Sequence, residues 1–250
     1  MMVPMKLGGT TLKTAGLIVL AVLALGVAAF AMNRQPALPP VSDQVKNYTP
    51  PTETAAPVVP VVAIGDSYSA GAGATDKANG FIYQLGRSQS WNLTNLARGG
   101  TGYVASITSN AKVACGLEYC PRYAEMVKDA AAANPGLVIV SGGRNDSTRA
   151  AADEADAVAG FYKGLRAALP DTKIVALSPL WDAGTPPASL SGIASEVKAA
   201  VESVGGAYLD IGQPLQGRPE LMSADKVHPN DAGHAAIAKA VRAKLQAAGI

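Results

Sequence analysis

Five short apolar runs, each followed by a longer stretch of helix-forming sequence, constrain this 250-residue chain more than any other feature. The first run, Val58 to Ile64, is rich in β-branched residues and stops at Gly65. Further strand candidates are Trp91 to Leu96, Leu137 to Ser141, Lys173 to Leu177 and Ala207 to Asp210. Helical stretches are expected at about Phe81 to Arg87, Arg122 to Ala133, Asp153 to Leu169, Ile193 to Val204 and Asp231 to Ala247. Continuous rather than alternating hydrophobicity marks strands covered on both faces. Strands alternating with helices predict a parallel sheet in a three-layer α/β/α arrangement, joined by right-handed crossovers. Asn134-Pro135-Gly136, Pro170-Asp171 and Gly205-Gly206 supply turns before the third, fourth and fifth runs. With aromatics at only 5% and abundant Ala and Gly, tight α/β packing fits better than a β-sandwich.

The N-terminal part reads differently. No residue from Thr14 to Asn33 is charged, Leu17 to Met32 is almost wholly apolar, and Lys6 and Lys13 precede the stretch. That is the arrangement of an exported protein. Residues 1–34 are expected to be either a signal peptide, with Ala29-Phe30-Ala31 as an A-x-A cleavage site, or a membrane anchor, because the run is about the ~20 residues a spanning helix needs. Residues 35–57 follow as a Pro-rich linker: seven of the 17 prolines lie between Gln35 and Pro60. The globular domain is assigned to residues 58–250, extracytoplasmic and either secreted or membrane-anchored.

Charge and cysteine content exclude several functions. The formal net charge is +2, and three of the 21 basic residues, Lys6, Lys13 and Arg34, precede every acidic one, leaving 18 basic against 19 acidic. A strongly basic nucleic-acid binder is thereby ruled out. Two Cys and two His leave nothing to spare for a structural Cys/His zinc cluster. Cys115 and Cys120 most simply form a disulfide in an oxidising compartment, pinning a small surface loop; free core thiols or a reactive thiol are the alternatives.

In an open parallel sheet, ligands bind at the carboxyl ends of the strands. The segments there are polar and Gly-rich: Gly65 to Ser69, Ala97 to Gly102, Ser141 to Asp146 and, before the last helix, Asp225 to Asn230. A serine such as Ser67 becomes a nucleophile only if a base takes its proton. His228 suits that role, with Asp225 three residues earlier to accept the imidazole Nδ1–H, and with Pro229 placing it at the mouth of the last helix. Alone, a D-x-x-H pattern is more simply a capping Asp beside a surface His. His234 has no comparable partner and reads as solvated. Donors for a developing oxyanion are the Ser67 N–H, the Gly100 N–H and the Asn145 amide. Each also has a plain explanation as turn chemistry.

Together, Gly65-Asp66-Ser67, Gly100, Asn145 within Gly143-Arg144-Asn145-Asp146, and Asp225-x-x-His228 resemble the four sequence blocks of the SGNH/GDSL hydrolases (GDSL-like lipase/acylhydrolases) over roughly Val59 to Ala247. The resemblance implies a flavodoxin-like three-layer α/β/α fold with a five-stranded parallel sheet. It implies Ser67 as nucleophile, His228 as general base and acid, Asp225 as its orienting carboxylate, and an oxyanion hole of Ser67, Gly100 and Asn145. No metal or organic cofactor is implied. Two departures bear on the substrate. Tyr68 replaces the usual Leu, most simply as a packing substitute. Arg144 is either held by Asp146 or another acidic neighbour, or contacts substrate.

Rival motifs fail on spacing. Asp76 stands where the third Gly of a dinucleotide fingerprint belongs, no phosphate-loop pattern occurs, and Ser69 replaces the second Gly of a G-x-S-x-G elbow. The expected function is an exported serine ester hydrolase acting on a small-molecule, glycan or lipid ester. The alternatives are an O-acyltransferase acting on cell-envelope glycan with the same site, or a non-catalytic envelope-binding module. Leu180 to Pro187, after the fourth strand, forms a candidate substrate wall in which Trp181 either stacks on substrate or caps the core.

Overall fold

The computed structural model describes residues 58–250. The candidate signal or anchor (1–34) and the Pro-rich linker (35–57) lie outside the described residues. Among the described residues, no helix is long and apolar enough to cross a membrane.

The five strands are β1 (Pro60–Gly65), β2 (Asn92–Asn95), β3 (Leu137–Ser141), β4 (Lys173–Leu177) and β5 (Ala207–Leu209). They form one all-parallel sheet in the order β2-β1-β3-β4-β5. The α-helices are α1 (Ser67–Ala70), α2 (Phe81–Ser88), α3 (Ala111–Cys115), α4 (Val127–Ala132), α5 (Ala151–Ala168), α6 (Ala188–Ser203) and α7 (Asp231–Ala247). The expected α/β/α architecture is therefore what the chain adopts.

The strand pattern explains the layering. Val61 and Ala63 of β1 and Ile139 of β3 face one core with Ile237, Val241 and Leu245 of α7 and Phe81 and Leu85 of α2. Their neighbours Val62, Ile64, Val138 and Val140 face the other core with Val158, Phe161 and Leu165 of α5 and Val197 and Val201 of α6. Adjacent strand residues point to opposite faces, so two cores require both parities to be apolar. β2, at the edge, keeps only Leu93 and Asn95 partly covered and exposes Asn92 and Thr94. Four aromatics form one cluster: Tyr103, Tyr123, Phe161 and Tyr162 pack edge-on or tilted in the second core, and the Tyr103 and Tyr162 hydroxyls lie 2.9 Å apart. Because β1 neighbours both β2 and β3, the chain reverses its direction of winding at β1, and a crevice opens beyond the carboxyl ends of β1 and β3.

The expected elements shift in instructive places. α6 begins at Ala188, five residues before Ile193, because Pro187 in an extended conformation caps it and Leu190 is buried. The expected Arg122–Ala133 helix is a 3₁₀ turn, Tyr123–Met126, followed by the short α4. The short α3 is not anticipated by any periodic pattern.

His234 corrects an expectation. It is fully buried in α7 rather than solvated. Its Nδ1 accepts the Phe81 N–H at 3.3 Å, and its Nε2 lies 3.0 Å from the Ala72 carbonyl, so the proton belongs on Nε2. Burial holds its pKa below the ordinary histidine range, partly offset by the Ala72 carbonyl and by Asp231. The unfolded chain therefore takes up this proton more readily than the folded one, and stability falls as pH drops. Relative to the wild type, His234→Gln is expected to shift the change in urea-unfolding stability between roughly pH 7 and pH 5 toward greater stability at the lower pH; an unchanged difference between the two pH values would mean that His234 makes no such contribution.

Candidate active site

Ser67 opens α1 two residues beyond the end of β1. Asp66 caps this short helix, its Oδ1 accepting the Tyr68 N–H at 2.9 Å, and the left-handed Gly71 ends it. Burial pushes the Asp66 carboxyl up to about 6, countered by the Tyr68 N–H and the Arg144 charge. Tyr68 is not a mere filler: its ring is buried, and its hydroxyl donates to the Val227 carbonyl at 2.6 Å, tying the β1 end to the loop that carries His228.

That loop is built around Asp225. Met222 and Pro229 pair as an antiparallel bridge, Ser223 N–H donates to the His228 carbonyl at 2.8 Å, and Lys226 takes a positive φ of 59° to close the turn. Asp225 Oδ1 accepts from the Val227 and His228 N–H groups (2.9 Å each) and the Ser223 hydroxyl (2.7 Å). Its Oδ2 lies 2.6 Å from His228 Nδ1. These donors, the His228 N–H foremost, hold the Asp225 carboxyl well below the usual range and keep it ionised. An ionised carboxylate only accepts, so the His228 proton resides on Nδ1 and Nε2 presents its lone pair. Nε2 lies 3.0 Å from Ser67 Oγ. Pro229 lies just ahead of the N-cap of α7. Asn230 caps that helix, accepting the Gly233 N–H at 3.0 Å, and Pro229 belongs to the bridge before it. Gly73 permits the close approach of these segments, since a Cβ there, at a φ of +86°, would stand 2.4 Å from the Pro229 carbonyl oxygen and 2.7 Å from His228 Cβ.

The remaining candidates line the same cleft of about 400 Å³ as Ser67 and His228: Gly100, Arg144 and Asn145. Gly100 adopts a φ of +74°, and a Cβ on it would press on Ile107 at 2.9 Å. The Asn145 Nδ2 donates to the Thr101 carbonyl at 2.9 Å, which orients the amide and leaves its second N–H available. Arg144 is held by an acidic neighbour, but that neighbour is Asp182 at 2.7 Å and not Asp146. Its guanidinium also stacks 3.9 Å from the Trp181 ring centroid, so half-buried Trp181 serves as a platform for Arg144 rather than as a cap on the core. Cys115 and Cys120 are bonded. They bracket the loop after α3, and α3 borders the cleft through Val113 and Ala114.

Asp146 has a positioning role that the sequence reading did not give it. Almost fully buried, it accepts the Tyr103, Val104 and Ala105 N–H groups at 2.8, 3.0 and 2.8 Å. The segment after Gly100 is thus hung on the residue after Asn145. Burial raises the Asp146 pKa, and these three donors pull it back. The signal was present as an Asp beside the Asn, but nothing local told which backbone it would meet.

A serine hydroxyl backed by an imidazole and an ionised carboxylate, at the switch point of a parallel sheet, is the equipment of a serine-dependent acyl hydrolase. The chain belongs to the GDSL-like lipase/acylhydrolase family, whose profile matches residues 63–236, and its class is that of the serine ester hydrolases. It is 28% identical over 189 residues to the GDSL lipase Rv0518 of Mycobacterium tuberculosis, covering 72% of this chain and 78% of that one. Among solved structures it is similar to TesA (TM-score 0.56, 20% identity, 74% of this chain and 97% of the other). It is also similar to the salicylyl-acyltransferase SsfX3 from a tetracycline biosynthetic pathway (TM-score 0.58, 21% identity, 78% of this chain). A family two carbohydrate esterase from Cellvibrio japonicus shares the fold as well (TM-score 0.56, 18% identity, 76% of this chain). The chain spans 56% of the acyltransferase and 62% of the carbohydrate esterase.

Removing the Asp146 carboxylate strands three backbone N–H groups, each costing roughly 1–3 kcal/mol when left without a partner. Asp146→Ala is expected to lower unfolding free energy by roughly 3 kcal/mol or more in urea titration; a loss within about 0.5 kcal/mol, the range of neutral surface changes, would contradict this anchoring role.

Proposed function

We propose that the domain hydrolyses carboxylic esters outside the cytoplasm through a Ser67–His228–Asp225 triad. The observation that carries this reading is the relay from Ser67 Oγ to His228 Nε2 at 3.0 Å and from His228 Nδ1 to Asp225 Oδ2 at 2.6 Å. Ser67 Oγ attacks the ester carbonyl carbon while its proton passes to His228 Nε2. The imidazolium so formed is stabilised by the Asp225 carboxylate. The N–H groups of Ser67 and Gly100 and the free N–H of Asn145 receive the charge that develops on the carbonyl oxygen. Collapse of the tetrahedral species expels the alcohol, which takes the proton from His228. Water, deprotonated by the same nitrogen, then attacks the acyl-enzyme and releases the acid.

Export is supported by the uncharged stretch from Thr14 to Asn33, the prolines that follow it, and the Cys115–Cys120 bridge, which suits an oxidising compartment. On this reading the N-terminal segment directs the domain to the cell surface or anchors it there, with residues 35–57 as a spacer.

Purified protein is expected to react with a fluorophosphonate probe and to hydrolyse short p-nitrophenyl esters, and Ser67→Ala is expected to abolish both. By the behaviour of established triads, Ser67→Ala and His228→Ala each cost roughly 10⁶ in kcat and Asp225→Ala roughly 10⁴. Retention of either labelling or turnover by Ser67→Ala would remove Ser67 from the nucleophile's role.

A further inference from the structure

A second pocket meets the cleft at Ser67. Its volume is about 330 Å³, and it shares Ser67, Ala72, Gly99, Val113 and Ala114 with the cleft that contains His228. It is also lined by Lys77, Tyr83, Asn95 and Arg98, and by Cys115 and Gly116 at the end of α3. No carboxylate lines it, whereas two cations do.

The side chains in this pocket divide into committed and available groups. Asn95 is committed, its amide donating to the Ser69 carbonyl at 2.9 Å and its Oδ1 accepting the Ala97 N–H at 3.0 Å. Half-buried Arg98 is steadied by one bond, Nη1 to the Ala97 carbonyl at 3.0 Å, which leaves most of its five donors for a ligand. Among the described residues neither Arg98 nor Lys77 makes an ion pair. Asp76, the acid beside Lys77 in sequence, is turned onto the Ala78 N–H at 2.7 Å. Exposed Lys77 and half-buried Arg98, lining the same pocket as Ser67 with no internal anion, form a site for an external one.

Direction follows from the proton transfer and rests on the triad reading above. The leaving oxygen must face His228 to receive its proton, so the alcohol occupies the cleft that holds His228. The acyl group then extends into the pocket that contains Ser67 but not His228. We propose that this pocket is an anion-binding acyl subsite, and that the enzyme prefers esters of short acids carrying a second anionic group, held by Arg98 and Lys77.

The test compares monomethyl succinate with methyl butyrate, following acid release by pH-stat. Wild-type enzyme is expected to favour the succinyl ester by about ten- to a hundredfold in kcat/KM, the range of a charge-assisted hydrogen bond. Arg98→Gln and Lys77→Gln, checked for folding by circular dichroism, are each expected to reduce that ratio, and raised salt to reduce it in the wild type. Hydrolysis of methyl butyrate with no preference for the charged ester overturns the anionic subsite and leaves the triad standing. A protein that cleaves neither ester and takes no fluorophosphonate label overturns the triad reading instead. The subsite is read independently of turnover by calorimetry on Ser67→Ala, where monomethyl succinate is expected to bind and the added Arg98→Gln change to weaken it at least about tenfold. Absence of measurable binding to Ser67→Ala would also defeat the proposal.

Discussion

The Asp225 carboxylate is the interaction on which the site depends. Its four donors come from Ser223, Val227 and His228, the last contributing both its backbone and its ring. The same bonds therefore fold the loop and orient the imidazole. The loop is half exposed at Asp225, so this order does not come from burial but from saturation of a short acidic side chain by nearby N–H and O–H groups. Long-range placement comes from elsewhere. Tyr68 fastens the Val227 carbonyl to the β1 end, and Gly73 lets that segment run against His228. A serine and a histidine 161 residues apart meet because each lies next to a backbone anchor belonging to the other's segment.

Around this exposed relay the fold places buried titratable groups whose preferences oppose one another. Asp66, capping the helix of Ser67, has its carboxyl raised from 3.8 to about 6 by burial, which corresponds to roughly 3 kcal/mol of folding free energy. That contribution is fully present below the ordinary carboxylate range and is lost as pH rises through about 6. His234, whose Nε2 lies beside the Ala72 carbonyl just past the same helix, works the other way, favouring folding above the ordinary histidine range. A buried carboxyl that is costly to ionise remains because its Oδ1 satisfies the Tyr68 N–H at the head of α1. Stability is given up where the nucleophile has to be held at the edge of the sheet.

How much of this was legible in the sequence depended on whether the signal was local. β3 and β4 and the whole of α7 matched their expected bounds, because a continuous apolar run or a long amphipathic stretch with a capping Asn carries its own evidence. The D-x-x-H pair, which alone read as a capping Asp beside a surface His, became legible only together with the other three blocks, although its four bonds are made within six residues. What failed was partnership across the fold. His234 read as solvated because one turn of helix contains no partner for it, yet Phe81 and Ala72 supply both. Arg144 was expected to be held by Asp146 or another acidic neighbour, and the sequence could not choose between them: Asp146 is engaged by three backbone N–H groups, and Asp182 beyond β4 pairs with the guanidinium. The α3 segment, five residues long with a strongly exposed Val113, shows no periodicity at all.

That same unperiodic segment explains how one serine serves two differently furnished pockets. Val113 and Ala114 border both, and the Cys115–Cys120 bridge ties the end of α3 to a residue whose backbone pairs with Ile107. Ile107 in turn packs where a side chain on Gly100 would stand. The partition between the pockets is therefore joined to the backbone that carries one oxyanion donor. On one side stand Arg144 neutralised by Asp182, Asn145 and His228, where charge develops only during reaction. On the other stand Arg98 and Lys77 with no acidic partner among the described residues. Since acidic and basic residues nearly cancel over the domain, this asymmetry is local rather than an effect of overall charge. The field it creates acts on whatever group reaches Ser67 from that side.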